Sequence, residues 1–110
     1  MRRYNNARRV LHLPDSEARY ELLCPDFNRS MEMTLTEIPH HRASSSTPVT
    51  HDDEEFAFVV EGNIRVEVAG VTYDLEEGDS IYYDARLPHR FVNASDRNVR
   101  LLTATSPARF

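Results

Sequence analysis

At 110 residues the chain has room for one hydrophobic core and so for one domain. Its 40% hydrophobic and 28% charged residues exclude a disordered or fibrous chain, and no apolar run reaches the length of about 18 residues that a membrane helix needs. A formal net charge of −5 argues against direct nucleic-acid binding by this domain, and because all thirteen basic residues are arginine, lysine-dependent Schiff-base chemistry is excluded.

Residues 1–14 carry Arg2, Arg3, Arg8 and Arg9 with little apolar periodicity, which reads as a basic arm or linker remnant ahead of a β-barrel domain over 15–110. No apolar stretch follows those arginines, so the sequence offers no secretion signal and a cytoplasmic location is expected. Arg19–Cys24 and Met31–Ile38 read as strands, the second alternating apolar and polar residues with period two. Cys24 has no partner for an internal disulfide and is expected to be a half-buried spectator. Pro39–Thr50, with two prolines, three consecutive serines and two histidines, has no periodicity and reads as a surface loop.

Strand then follows strand. Glu55–Val60 is aromatic and β-branched, Gly62-Asn63 supplies a tight turn, Ile64–Val68 alternates, and Val71–Leu75 resumes after Gly70. Glu76–Asp79 is a turn, Ser80–Tyr83 a strand, Asp84–Pro88 a loop, and Arg90–Ala94 and Val99–Thr105 the last two strands. No segment has convincing helical periodicity. About eight short strands at even spacing define an all-β sandwich, barrel or jelly roll.

Three side chains can bring chemistry to one place. His51 and Glu55 are four apart, and on an extended strand an even separation puts both on one face; His89, just after Pro88, shares its face with Phe91 and Asn93. Two imidazoles and a carboxylate form the set that holds Fe(II) with open positions and that also serves Zn, Mn or Ni. The alternative is that His51 is solvated within the acidic run His51–Glu55, and spacing alone does not separate the two readings. Tyr83 and Phe91 are candidates to line a ligand cavity, with core packing as the other reading, and Asn93 is expected to hold backbone. Arg86 and Arg90 bracket His89 and are placed either to attract an anionic effector or simply on the surface.

The stretch His51-Asp-Asp-Glu-Glu55-Phe-Ala-Phe-Val-Val-Glu-Gly62 resembles the first motif of the cupin superfamily: a histidine, a glutamate four residues later, then six residues and a glycine. Gly78-Asp79, Pro88-His89 and Asn93 resemble the second motif, and the likeness extends over roughly residues 19–105. It implies a cupin jelly-roll β-barrel with a metal held by His51, Glu55 and His89. The fuller family pattern has another histidine two residues before the first, where this chain has Val49. The resemblance therefore leaves open a three-ligand site, a site completed by His40 or His41 from the loop, or a metal-free pocket for an organic ligand.

Within that superfamily the wording looks most like the C-terminal cupin domain of bacterial helix-turn-helix regulators of the XRE class. No stretch with three amphipathic helices precedes the first strand, so the resemblance implies either a sensor domain without its DNA reader or a free-standing cupin. Three functions follow: a domain that binds a small molecule without turning it over, a metal-dependent enzyme of dioxygenase or isomerase type, or a metal-free dimerisation domain. The sequence has no obvious catalytic base beyond the three donors, which favours binding over catalysis; a divalent metal (Fe, Mn, Zn or Ni) is the cofactor in view, and no organic cofactor is expected. A homodimer is expected, with strands near residues 19–38 as candidates to lie across a partner's sheet edge.

Overall fold

The computed structural model describes residues 3–4, 8–24 and 29–108, and every regular element among them is a β-strand. In chain order these are β1 (Arg9–Leu11), β2 (Arg19–Leu22), β3 (Glu32–Ile38), β4 (Glu54–Glu61), β5 (Ile64–Val68), β6 (Val71–Leu75), β7 (Ser80–Asp84), β8 (His89–Val92) and β9 (Val99–Ser106). They form a six-stranded antiparallel sheet in the order β1-β2-β3-β9-β4-β7 and a three-stranded sheet in the order β6-β5-β8. The fold is the all-β jelly roll expected from the strand spacing.

β1 was not visible in the sequence, because three residues are too few to show a period. Arg9, Val10 and Leu11 nevertheless pair with Leu22, Glu21 and Tyr20, and Arg8 Nη1 lies 3.2 Å from Glu21 Oε2. The expected arm is thus replaced, over residues 8–14, by chain that adds an edge strand to the larger sheet; Arg2 and residues 5–7 lie outside the described residues. β2 and β3 are paired on both sides within the chain, so neither offers the free edge expected for a partner.

Alternation along three central strands divides the barrel lengthwise. The inward positions read Ile38, Thr36, Thr34, Glu32 on β3; Val99, Leu101, Thr103, Thr105 on β9; and Val59, Ala57, Glu55 on β4. Register aligns these series, with Ile38 opposite Val99, Thr34 opposite Thr103, and Thr105 between Glu32 and Glu55. One end of the barrel is consequently an apolar plug, where Ile38, Val59, Val99 and Leu101 meet Ile64 and Val66 of the smaller sheet. The other end is lined with hydroxyls, carboxylates and imidazoles.

Two residues hold the apolar end closed. Gly62, in the β4–β5 turn, has φ +92°, and a Cβ there would stand 3.1 Å from the Asn98 carbonyl oxygen, so both conformation and space require glycine. Asn93 is wholly buried (0% exposed), and its Nδ2 donates to the carbonyls of Ile38 (3.0 Å), Pro39 (3.3 Å) and Arg97 (2.8 Å), while Oδ1 accepts from Ser95 N (3.0 Å) and Ser95 Oγ (2.7 Å). One amide therefore ties the end of β3 to the β8–β9 loop, the backbone role anticipated for it.

Asn93→Ala strands these buried carbonyls and is expected to cost about 2–3 kcal/mol, lowering Tm by roughly 10 °C. Removing the exposed Arg42–Glu17 ion pair (2.7 Å) by Arg42→Ala is expected to change stability by under about 0.5 kcal/mol. Equal shifts in thermal melts of the two variants would contradict the role given to Asn93.

Candidate functional site

The polar end of the barrel encloses a cavity of about 180 Å³. His51, Glu55, His89 and Val49 form one side of it, Thr34, Thr36, Thr103 and Thr105 a hydroxyl wall, and Leu13, Pro14, Ser44 and Ser45 the rim. Phe91, Tyr20 and Ser16 complete the lining.

Main-chain hydrogen bonds explain why the three donors meet. The segment before β4 is extended and laced to two places at once: Val49 and His89 exchange N–H···O bonds of 2.9 Å each, His51 N donates to Ala85 O (2.8 Å), and Ala85 N donates to Asp53 O (2.9 Å). Alternation along this segment turns Val49 and His51 to the pocket and buries Asp53 and Glu55, whereas Asp52 and Glu54 face solvent. The solvated alternative for His51 is thus replaced by a half-buried, pocket-lining position. On the facing strand His89 is 3% exposed and Glu55 is 7% exposed, and His89 Nε2 lies 3.5 Å from Glu55 Oε2. The rings of His51 and His89 meet edge to face with centroids 5.1 Å apart.

His89 Nδ1 sits 2.8 Å from the Leu87 carbonyl oxygen, so it carries a proton and donates, and Nε2 is the ring nitrogen turned toward Glu55. That orientation is the one a ligating or hydrogen-bonding imidazole needs. The chemical kinds of His51, Glu55 and His89 suit a divalent metal. As the side chains stand, however, no three His, Cys, Asp or Glu groups among the described residues come together closely enough to hold a metal ion. Val49 adds no donor here. It lies directly across from His89 and lines the cavity, so the position where the wider cupin pattern has another imidazole presents methyl groups instead.

Other expected site residues are placed differently. Phe91 lines the cavity, whereas Tyr83 does not: it is buried in the core behind His89, ring centroids 5.0 Å apart, and can act on a ligand only by positioning that imidazole. His40 and His41 lie at the opposite, loop side, with His41 Nε2 2.9 Å from Asp96 Oδ1, and neither reaches the pocket. Arg86 forks onto the Asp84 carboxylate (Nη2 to Oδ2, 2.7 Å) and holds it down to about pKa 2, and Arg90 is engaged by Glu67 (2.9 Å) and the Ser46 carbonyl (2.7 Å). Neither arginine is in the lining, which agrees with the surface alternative read for both. Cys24 is a half-buried free thiol, as expected.

Sequence reasoning missed the carboxylates and hydroxyls behind the donors. Glu32 is only 1% exposed and lies on the inner row Glu55–Thr105–Glu32, with Oε2 engaged by Arg29 and Oε1 without a hydrogen bond. Thr105 Oγ1, in the pocket wall, is 7% exposed on its residue and also has no partner. The period-two pattern of β3 contained the signal, since it sets Glu32, Thr34 and Thr36 on one face with Ile38.

The chain belongs to the cupin family: the family model described as Cupin domain matches residues 34–105. The HTH-type transcriptional regulator PuuR of Escherichia coli (strain K12) is 30% identical to it over 83 residues, 76% of this chain and 44% of that protein, so the chain spans less than half of this relative. Among solved structures, the Cupin_2 domain of an XRE family transcriptional regulator from Enterobacter cloacae superposes with a TM-score of 0.72 at 20% identity, covering 84% of this chain and 98% of that one. An RmlC-like cupin from Shewanella frigidimarina gives 0.76 at 20% identity, covering 97% and 90%. At these identities the structural likenesses speak for the fold. The sequence kinship ties the domain to the cupin domains of regulators.

Burial raises the Glu32 carboxyl above the ordinary glutamate value against the lowering pull of Arg29. A carboxyl raised in the folded state leaves stability intact below the unfolded value and removes it as pH climbs through the folded one. Glu32→Gln is therefore expected to gain Tm relative to wild type as pH rises above the ordinary glutamate value. Melts of both proteins across that rise test it, and a difference independent of pH would contradict a raised Glu32.

Proposed function

We propose that this cupin is a ligand-sensing domain related to those of bacterial transcriptional regulators, and that its pocket binds a small molecule without turning it over. The observation that carries the reading is the division of one barrel into an apolar plug and a polar cavity of about 180 Å³. That volume is below the roughly 300 Å³ where drug-sized sites begin, so the ligand is a small metabolite. No arginine lines the cavity, and its groups are imidazole, carboxylate and hydroxyl; a neutral, hydrogen-bonding molecule suits this wall better than a phosphorylated one. Kinship with a regulator over 76% of the chain supports sensing. Among the described residues no helix is long and apolar enough to cross a membrane.

A metal forms the second reading, favoured by the donor set. His51, Glu55 and His89 would hold it, and it would supply Lewis-acid character and open coordination positions for the ligand. The residues of the chain have their own parts in either case: the Leu87 carbonyl fixes the His89 tautomer, Tyr83 backs that ring, and the threonine wall hydrogen-bonds the ligand. Among the described residues that line the cavity, the metalloenzyme reading finds no carboxylate or imidazole beyond these donors to serve as a general base, and the purely structural reading gives no reason for a polar cavity.

Polar groups kept for binding are poor contributors to stability. Glu55→Gln is expected to leave Tm unchanged or raise it, while Leu101→Ala in the plug costs about 2–5 kcal/mol. A loss in Glu55→Gln as large as that in Leu101→Ala would assign the cavity to structure and overturn the sensing role.

Metal analysis by plasma mass spectrometry, on protein reconstituted in turn with Fe(II), Mn(II), Zn(II) and Ni(II), decides the second reading. One metal per chain, lost in both His51→Ala and His89→Ala, supports it; none in wild type removes it. Val49→His, which restores an imidazole directly across from His89, is expected to tighten Zn(II) or Ni(II) binding by about tenfold or more. An unchanged affinity would mean that position 49 is not what limits the site.

A further inference from the structure

Two pieces of chain meet across the mouth of the pocket. One is the serine loop, residues 43–49, which brings Ser44 and Ser45 to the rim; the other is the turn between β1 and β2, residues 12–18, which brings Leu13, Pro14 and Ser16. The serine loop is bonded to the barrel along its length. Ser44 N donates to the Phe91 carbonyl and Ser44 Oγ accepts from Phe91 N (2.9 Å each), Arg90 donates to the Ser46 carbonyl (2.7 Å) while paired with Glu67, and Val49 and His89 exchange two further bonds. The β1–β2 turn is tied to that loop instead. Beyond the buried Ala18, Asp15 Oδ2 accepts from Ser46 N (3.2 Å) and Ser46 Oγ (2.8 Å), and the exposed Glu17 pairs with Arg42 (2.7 Å). The turn itself sets Asp15 in this place: Pro14 precedes it, Ser16 N donates back to the Leu13 carbonyl (3.3 Å), and Asp15 has φ +57°, the left-handed region that glycine and asparagine adopt most easily. An aspartate there gives up backbone ease for a carboxylate that reaches Ser46.

We infer that residues 12–17 are a lid on the pocket, latched by Asp15 on Ser46, with the serine loop as the fixed post and the β1–β2 turn as the moving part. The lid rests on the reading of the cavity as a ligand site and adds how that site is entered. Asp15 and Ser46 are both exposed, so water competes for the bonds between them and the latch can open while the plug at the far end stays packed. β1 lies at the edge of the larger sheet and is three residues long, so the lifted turn drags little structure with it. A ligand inside the pocket lies against Leu13 and Pro14, and this contact exists only with the turn down; occupancy therefore shifts the lid toward its closed state. The three consecutive serines acquire separate tasks: Ser44 moors the loop to Phe91, Ser45 closes the loop on itself through the Thr47 carbonyl (2.7 Å), and Ser46 receives the latch.

Two measurements on the full chain, neither of which needs a ligand, test the lid. The first is amide hydrogen exchange followed by NMR. Ser46 N–H is held by Asp15 and Ser44 N–H by the Phe91 carbonyl, so in Asp15→Gly, where glycine suits the positive φ of the turn, Ser46 is expected to exchange about tenfold faster while Ser44 is unchanged. The second is acylation of the half-buried His51 by diethyl pyrocarbonate, read by mass spectrometry against the exposed His40. Its rate is expected to rise about tenfold in Asp15→Gly and to rise in Ser46→Ala, to stay near wild type in Asp15→Asn, which retains an acceptor oxygen, and to be unchanged in Arg65→Ala on the smaller sheet, with thermal melts close to wild type throughout. Ser46→Ala leaves the turn untouched and carries the test if Asp15→Gly fails to fold. Equal His51 rates in wild type, Asp15→Gly and Ser46→Ala would overturn the lid. Faster exchange of Ser44 together with Ser46 would make the serine loop the moving part and overturn the division into post and lid. Faster acylation accompanied by a lower Tm and faster exchange through β2 and β3 would assign Asp15 to holding the barrel together, which overturns the lid as well. The sensing role is judged by the melts of Glu55→Gln and Leu101→Ala, so the lid and that role can fail independently.

Discussion

The site depends on the four main-chain hydrogen bonds that lace residues 49–53 to His89 and Ala85. Ala85 follows the end of β7 in the larger sheet, and His89 opens β8 in the smaller one. The laced segment therefore spans the gap between the two sheets at the polar end. Extended chain has only two sides, so once Val49 is fixed against His89, His51 must face the cavity and Asp52 must face water. A slip of one residue would exchange them and leave the acidic run pointing inward.

This arrangement makes the barrel a compromise between holding together and holding something. Hydrophobic burial is concentrated in the plug formed by Ile38, Val59, Val99, Leu101 and the smaller sheet, and Asn93 and Gly62 close that end with hydrogen bonds and tight backbone packing. The opposite end gives up burial of apolar surface for a row of carboxylates, hydroxyls and imidazoles whose desolvation is costly. Glu32, raised by its burial, shows that cost directly. A domain whose only task was to be rigid would carry valines where β9 has Thr103 and Thr105.

Much of this was legible in the amino-acid sequence. Period-two alternation located β3 and β5, β-branched and aromatic runs between turn residues located the other strands from β4 to β9, glycine marked the β4–β5 turn, and even spacing joined to the two cupin motifs pointed to His51, Glu55 and His89. What escaped was mostly tertiary. β1 is too short to carry a period, and its pairing is known only once β2 is in place. Tyr83 and Phe91 have equivalent inward parity, and only the packing of the second sheet puts one in the wall and the other behind His89. Arg86 and Arg90 looked free beside the site because their partners, Asp84 and Glu67, are chosen by side-chain reach and strand order.

β9 is last in chain order and central in the larger sheet, lying between β3 and β4. During synthesis, then, β3 and β4 emerge before the strand that lies between them, which follows the other eight strands of the described residues. Until it inserts, the apolar plug lacks Val99 and Leu101, the pocket lacks Thr103 and Thr105, and the two halves of the sheet have no backbone in common. Plug and pocket are therefore completed together by one late, long-range event rather than assembled in turn.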